Sequence, residues 1–156
     1  MQFDQRGHLT PYEIIETNLE TFENVFVSEI KNSRTRLALF EEYREFLAEL
    51  QQIIGANFYQ WIDGSFTTQR RNPSDIDLVT FLDGQRLNQF AAQLSPLQKR
   101  KFQSRGKIDA YFVATYPKGH ALYDMFWMDH LDWLHQFEKD TRLKGNPRKG
   151  IIQLNF

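Results

Sequence analysis

The 156-residue chain carries 19 Lys plus Arg against 20 Asp plus Glu, a formal net charge of −1, so no global field draws it to nucleic acid or an anionic membrane. It has no cysteine, which excludes disulfides, thiolate zinc sites and a cysteine nucleophile, and fits a reducing compartment. The start, Met1-Gln2-Phe3-Asp4-Gln5-Arg6-Gly7, has no apolar signal core, and no apolar run approaches the roughly 20 residues that span a bilayer. A soluble, cytoplasmic protein with one domain over residues 1–156 is expected. Fourteen Phe, six Tyr and three Trp predict an aromatic core.

Residues 1–9 read as an irregular arm. Thr10-Pro11-Tyr12-Glu13 has the form of a helix start, with Thr at the N-cap, Pro at the first helical position and Glu two further on; a helix to about Phe26 is expected. Asn32-Ser33 breaks the pattern, and Ser33 is placed to cap a second helix. In that helix Leu37, Phe40, Tyr43, Phe46, Leu47 and Leu50 recur at three- and four-residue steps, which predicts one buried stripe, ended at Gly55-Ala56-Asn57. Phe58 to Ile62 and Ile76 to Leu82 read as strands. Gln85 to Leu94 reads as a helix, with Ser95-Pro96 starting a separate turn or short helix through Lys101. A strand from Ile108 to Tyr116 follows, then a helix from His120 to Phe137 with Leu122, Phe126, Leu131, Leu134 and Phe137 inward. Ile151 to Leu154 is expected as a last, edge strand. The order argues a single α/β (α+β) domain, a mixed sheet of about four strands flanked by helices, with a helical part over about 10–55 and a core over about 56–156.

The chemistry concentrates between the first two strands. Asp75 and Asp77 open an apolar run; period-2 geometry sets both carboxylates on one face and Ile76 and Leu78 on the other. Two adjacent carboxylates repel unless one is protonated or a cation lies between them. Mg²⁺ takes few protein carboxylates and completes its shell with water and substrate phosphates. Upstream, Gly64 permits a tight turn and a close approach to phosphate, and the Ser65 hydroxyl and following amides can donate to phosphate oxygens. Asp109 lies inside the apolar strand Ile108-Asp109-Ala110-Tyr111-Phe112-Val113, where a charge is costly unless paired or metal-bound. It is expected either to bridge to Lys107 or Arg105 or, with Asp75 and Asp77, to complete a metal site. A bare Asp-x-Asp and a bare Gly-Ser turn also occur as plain caps and turns; the combination carries the argument.

Trp61-Ile62-Asp63-Gly64-Ser65, nine intervening residues, Asp75-Ile76-Asp77-Leu78 and then Ile108-Asp109-Ala110 resemble the signature of the DNA polymerase β-like nucleotidyltransferase superfamily, over residues 58–113. More loosely, Gly7-His8-Leu9-Thr10-Pro11 and Lys149-Gly150-Ile151 resemble an uncharacterised bacterial family of small domains with this core. The resemblance implies a nucleotidyltransferase fold and a nucleotidyl transfer from a nucleoside triphosphate such as ATP to a hydroxyl on protein or RNA. It implies Mg²⁺ or Mn²⁺ held by Asp75, Asp77 and Asp109, Asp109 on the catalytic metal, and Gly64 and Ser65 on the phosphates. Asp63 departs from the apolar residue often found before that glycine; a salt bridge to Arg70 or Arg71, or a position outside the site, is expected. No counterpart of the long C-terminal helical domain of larger members is expected within these residues. Small relatives act as modifiers or antitoxins in bacterial toxin–antitoxin or phage-defence pairs, so the resemblance also implies an alternative, a binding module with weak or no catalysis.

Arg70 and Arg71, in the spacer, are candidates to reach phosphate or acceptor, against the reading of a solvated loop. Arg142, Lys144, Arg148 and Lys149 surround Gly145-Asn146-Pro147; among them Lys149, beside Gly150, is the expected triphosphate contact. His120, Asp124, Asp129, His130, Asp132 and His135 fit an acidic helix face rather than a second metal site. Phe126, Trp127 and Trp133 read as helix packing.

Overall fold

The computed structural model describes residues 1–104 and 106–156, with side chains 99–105 left aside. In chain order the elements are β1 (Gln2–Phe3), β2 (Leu9–Thr10), β3 (Ile14–Thr17), α1 (Leu19–Glu23), a π-helical turn (Asn24–Ser28), α2 (Arg36–Ile54), β4 (Tyr59–Asp63), β5 (Ile76–Asp83), α3 (Gly84–Ser104), β6 (Ile108–Thr115), α4 (Tyr123–Phe137) and β7 (Ile151–Asn155). The fold is a mixed α+β domain built on a five-stranded sheet of order β3-β7-β4-β5-β6. No helix among the described residues is long and apolar enough to cross a membrane.

Several expected elements are replaced. The N-terminal arm is a β1–β2 antiparallel pair, its turn organised by the Asp4 carboxylate, which accepts from the Arg6 and His8 amides at 2.8 Å. No helix starts at Thr10. Ile14 and Ile15 pair in parallel with Ile151 and Ile152, and these β-branched residues take pleated positions instead of helical ones. Helix begins only at Leu19, where Asn18 accepts from the Thr21 amide at 2.8 Å. Because β3 lies outside it, β7 is an interior strand, not an edge. The helix over 84–104 runs through Pro96 without dividing; Leu94 and Leu97 are buried on either side of the proline, and that packing outweighs the lost helical hydrogen bond. Arg105, one expected partner of Asp109, lies outside the described residues.

The sheet is buried on both faces. One face carries Ile62, Ile76, Leu78, Leu82, Ile108, Ala110, Ile152 and Leu154 in a single cluster with Phe22, Phe26 and the inner residues of α2. The other carries Trp61, Val79, Phe81 and Val113 against Phe137, with Phe126, Trp133 and Leu134 of α4 packed alongside. Strand register converts this second face into rows. Trp61, Val79 and Tyr111 form one, and Tyr59, Phe81 and Val113 the next. Leu122 and Leu131, expected inward, are exposed, because the inner stripe of α4 runs Phe126, His130, Trp133 and Phe137 at steps of four, three and four.

On α2 the stripe begins one residue earlier than expected. Leu37 is 61% exposed, whereas Arg36 is fully buried. Ser33 supplies the expected start by accepting from the Arg36 amide at 3.1 Å. The Arg36 guanidinium donates to the carbonyls of Phe26 (2.7 Å), Phe66 (2.6 Å), Thr68 (2.7 Å) and Arg70 (2.6 Å) and lies 5.0 Å from the centroid of the Phe66 ring. Burial lowers its pKa to about 10, so it stays charged at neutral pH. Arg36→Ala is expected to cost on the order of 3–5 kcal/mol, since several buried carbonyls lose charged donors at roughly 1–3 kcal/mol each and relaxation recovers part. Arg36→Lys recovers only a fraction, because an ammonium lacks the planar fork that reaches both segments. Urea unfolding at neutral pH measures both.

Candidate functional site

At the β5 start of the sheet the α4-facing row is made of aspartates. Asp63 of β4 is the register partner of Asp77 of β5, and Asp77 is the partner of Asp109 of β6. Neighbouring strands lie about 4.8 Å apart, so the carboxylates are set side by side. Asp75 precedes β5 on the same face by strand period, with the Ser74 hydroxyl donating to it at 3.0 Å. Ile76 and Leu78 point into the opposite core, as the alternation predicts. All four aspartates line one cavity of about 490 Å³, within the range of roughly 300–1,000 Å³ typical of small-molecule sites.

Gly64 closes the row against the loop that leads to Asp75. Its φ is +79°, in the left-handed region that glycine tolerates, and a β-carbon built there would overlap the Asp77 carboxylate. Ser65 is buried and is not among the residues lining the cavity; its carbonyl accepts from the Thr68 hydroxyl at 2.9 Å. Arg70 lines the cavity with an exposed side chain, while Arg71 is exposed and outside the lining.

The far wall comes from α4 and the chain that leaves it. Trp133, Gln136 and Phe137 of α4 are followed by Lys139, Asp140, Thr141 and Arg142. A bridge between Lys139 and Arg148 folds this segment back, and Lys149 lines the cavity. Lys149 is 2% exposed, and its ammonium is bonded to Asp63 Oδ2. The expected pairing of Asp63 with Arg70 or Arg71 is therefore replaced, and Asp63 belongs to the site. Burial pushes the Asp63 carboxyl above its ordinary range against the opposing pull of Lys149, and Asp77 adds to the rise. Asp63 Oδ1 is buried without a hydrogen-bond partner among the described residues.

Asp140 is the second anchor. Arg142 grips it with Nε on Oδ1 at 2.9 Å and Nη2 on Oδ2 at 3.0 Å, and His8 Nε2 lies 3.2 Å from Oδ2. The expected cationic cluster around Gly145-Asn146-Pro147 thus divides. Arg142 and Lys149 face the cavity on acidic partners, whereas Arg148 turns outward to Glu138 and the Tyr12 carbonyl. The N-terminal arm also reaches the site: Gln69 donates to the Gly7 carbonyl at 2.9 Å, and Gly150 to the Leu9 carbonyl at 2.8 Å. Gly7-His8-Leu9 and Lys149-Gly150-Ile151, distant in sequence, are one packed corner.

His130 stacks on Trp127 at 4.9 Å and His120 on Tyr116 at 4.7 Å, away from the aspartate row, while Asp124, Asp129, Asp132 and His135 are exposed along α4. Among the described residues no three His, Asp or Glu side chains form a group that would hold a metal by themselves. Asp63 stood out in sequence only as a departure from a motif. Asp140, with Arg142 two residues on, had no signal that separates it from a surface turn. Tyr111 was not singled out in sequence, although its two-residue step from Asp109 is a signal that sets it on the same face.

The chain belongs to DUF6932, a family of unknown function, which it matches over residues 1–155. No curated protein and no solved structure matches it.

Two outcomes are expected from this geometry. Gly64→Ala forces a β-carbon onto Asp77 at positive φ and should lower stability by about 1–3 kcal/mol in urea titration; a change under about 0.5 kcal/mol would contradict the packing. Asp140 is held well below the usual carboxylate range, first by the Arg142 hydrogen bonds. A depressed folded pKa contributes stability above the unfolded value, and that stability is lost as pH falls. Wild-type stability should fall progressively as pH drops below about 5 and go on falling through the acid range, and Asp140→Asn should flatten this acid limb in chemical denaturation.

Proposed function

We propose that this DUF6932 chain is a metal-dependent nucleotidyltransferase of the DNA polymerase β-like superfamily, which moves a nucleotidyl group from a nucleoside triphosphate to a hydroxyl of a protein or RNA acceptor. The observation that carries the reading is the row in which Asp77 and Asp109 are register partners, with Asp75 beside them, at a cavity bordered by the Gly64 turn. The resemblance of the Gly64-Ser65, Asp75-Ile76-Asp77 and Asp109 pattern to that superfamily supports the same chemistry.

The donors fit a hard divalent cation. Asp75, Asp77 and Asp109 offer only carboxylate oxygens, and the Oδ1 of Asp63, which has no hydrogen-bond partner among the described residues, is a further buried acceptor beside them. A cluster that does not hold a metal by itself is consistent with Mg²⁺ or Mn²⁺ completing its shell from substrate phosphates. Asp75, Asp77 and Asp109 would hold it; when bound, such a cation neutralises charge on the phosphates and lowers the pKa of an acceptor hydroxyl. The remaining work falls to the chain. Gly64 lets the backbone approach the phosphates without a side chain in the way. Arg70 is placed to neutralise phosphate oxygens as charge moves onto the leaving group. Lys149 offsets Asp63, so that the net charge of the aspartate row is lower than its carboxylate count. In the reaction the acceptor oxygen forms a bond to the α-phosphorus, the bond from that phosphorus to the β-phosphate oxygen breaks, and pyrophosphate departs. The hydroxyl proton passes to a carboxylate of the row, for which Asp109 is the candidate base.

The test is incubation with each labelled triphosphate, Mg²⁺ or Mn²⁺ and cell extract. Wild-type protein should transfer label to a macromolecule. Asp77→Asn and Asp109→Asn, and the double change Asp75→Ala with Asp77→Ala, should reduce transfer at least about 100-fold with the fold retained by circular dichroism. Thermal stabilisation by triphosphate without transfer would make the protein a nucleotide sensor. Neither effect, with a full set of acceptors, would leave the antitoxin-like binding module.

A further inference from the structure

The residues described so far account for phosphate, cation and acceptor proton, but not for the aromatic wall of the same cavity. Tyr111 lies two residues beyond Asp109 on β6, on the same face, and a two-residue step along a strand is about 7 Å. Trp133, on the α4 side, lies against it with ring centroids 4.7 Å apart at 48°, and Phe137 backs Trp133 edge-on at 5.4 Å and 74°. Both Tyr111 and Trp133 are half-buried. Each rests on the sheet-side aromatic cluster, yet both line the cavity with the aspartates. Rings needed only for packing would sit like Trp61 and Phe81, which are 1% and 0% exposed. Gln136, one helical turn from Trp133, also lines the cavity, with an amide that both donates and accepts.

We infer that Trp133 and Tyr111 form the nucleobase subsite of this cavity: the base stacks on the Trp133 ring, Gln136 meets its polar edge, and the phosphates extend toward Gly64, Arg70 and the aspartate row. This rests on the nucleotide reading above and adds to it the residues that select a nucleoside over a bare polyphosphate. The one-row separation between Tyr111 and Asp109 suits a ligand whose flat aromatic end and anionic end are joined by a short sugar. Every base has a π-face, so stacking here gives affinity without a choice of base; Gln136 is the group able to add a preference.

Calorimetric titration of the full chain with Mg²⁺ and either ATP, GTP, CTP or UTP, and in parallel with Mg²⁺ and inorganic tripolyphosphate, tests the inference. Wild-type protein should bind the nucleotides more tightly than tripolyphosphate. Trp133→Ala should weaken nucleotide binding about 5- to 150-fold and leave tripolyphosphate unchanged, while Trp133→Phe, which keeps a flat ring, should stay near wild type. If Trp133→Ala does not fold, ATP should quench tryptophan emission in the wild type but not in Trp133→Phe, and tripolyphosphate in neither. Equal weakening of both ligands, no weakening of either, or wild-type binding of tripolyphosphate as tight as that of nucleotide overturns the base subsite while leaving a phosphate site. Failure of the wild type to bind either ligand overturns the subsite and the nucleotide reading together.

Discussion

A single buried cation holds the loop on which the site depends. Arg36 enters the core from the first turn of α2 with no carboxylate partner among the described residues; its charge is met by main-chain carbonyls of the π-helical turn and of residues 66–70. A guanidinium suits this task because its donors spread in a plane and can serve several carbonyls at once. The loop it holds links Asp63 at the end of β4 to Asp75 before β5, and it carries Gly64 and Arg70. Left to itself, a segment of that length between two strands would sample many conformations. Tied to Arg36 and covered by Phe66, which packs on Phe22 at 5.7 Å, it keeps the glycine turn against Asp77. Much of the geometry around the row is thus set from the opposite face of the sheet, through a residue that is not itself among those lining the cavity.

The cavity itself balances charge in pairs. Five aspartates line it, Asp63, Asp75, Asp77, Asp109 and Asp140, and like charges at this density would oppose folding. Asp140 is neutralised by a two-point contact with Arg142, and Asp63 by Lys149. Asp75, Asp77 and Asp109 line the same cavity, and their carboxylate oxygens are the hard donors that a divalent cation takes. Asp63 and Asp140 have a structural task as well. They fix the return of the chain from α4, and through His8 and Gly150 they hold the N-terminal arm onto the same corner.

The residues that were readable in sequence are those whose placement follows from one strand. Asp75, Asp77 and Asp109 declare their face by alternation with apolar neighbours, and Gly64 sits where a strand must turn. The same local logic fails where a distant partner decides. Thr10-Pro11-Tyr12-Glu13 has a helical signature, but Ile14 and Ile15 gain more from a parallel strand alongside β7, whose residues lie at the other end of the chain. Arg36 belongs to a helix and looks like a surface charge until the carbonyls of two other segments converge on it. Lys149 was expected on phosphate; its partner, 86 residues earlier, becomes a neighbour only because β7 inserts beside β4. Charge alone does not tell a free lysine from a committed one.

The pairing of β5 with β6 is where fold and proposed function are most closely tied. Ile76 meets Ile108, Asp77 meets Asp109 and Val79 meets Tyr111 in unbroken parallel register, with α3 forming the crossover between the strands. A slip of one residue would turn Asp109 and Tyr111 together to the opposite face, where Ile108 and Ala110 now fill the larger core. That slip is opposed by apolar burial on both sides of the sheet, since it would also drive Ile108 toward the cavity and a carboxylate into a cluster of Phe and Leu side chains. The hydrophobic pattern that specifies the strand therefore also sets the carboxylate beside its partner and the tyrosine one row behind it. The proposed metal-and-phosphate end and the aromatic end arise from one alternating strand, and the length of the α3 crossover needs only to deliver β6 in that register.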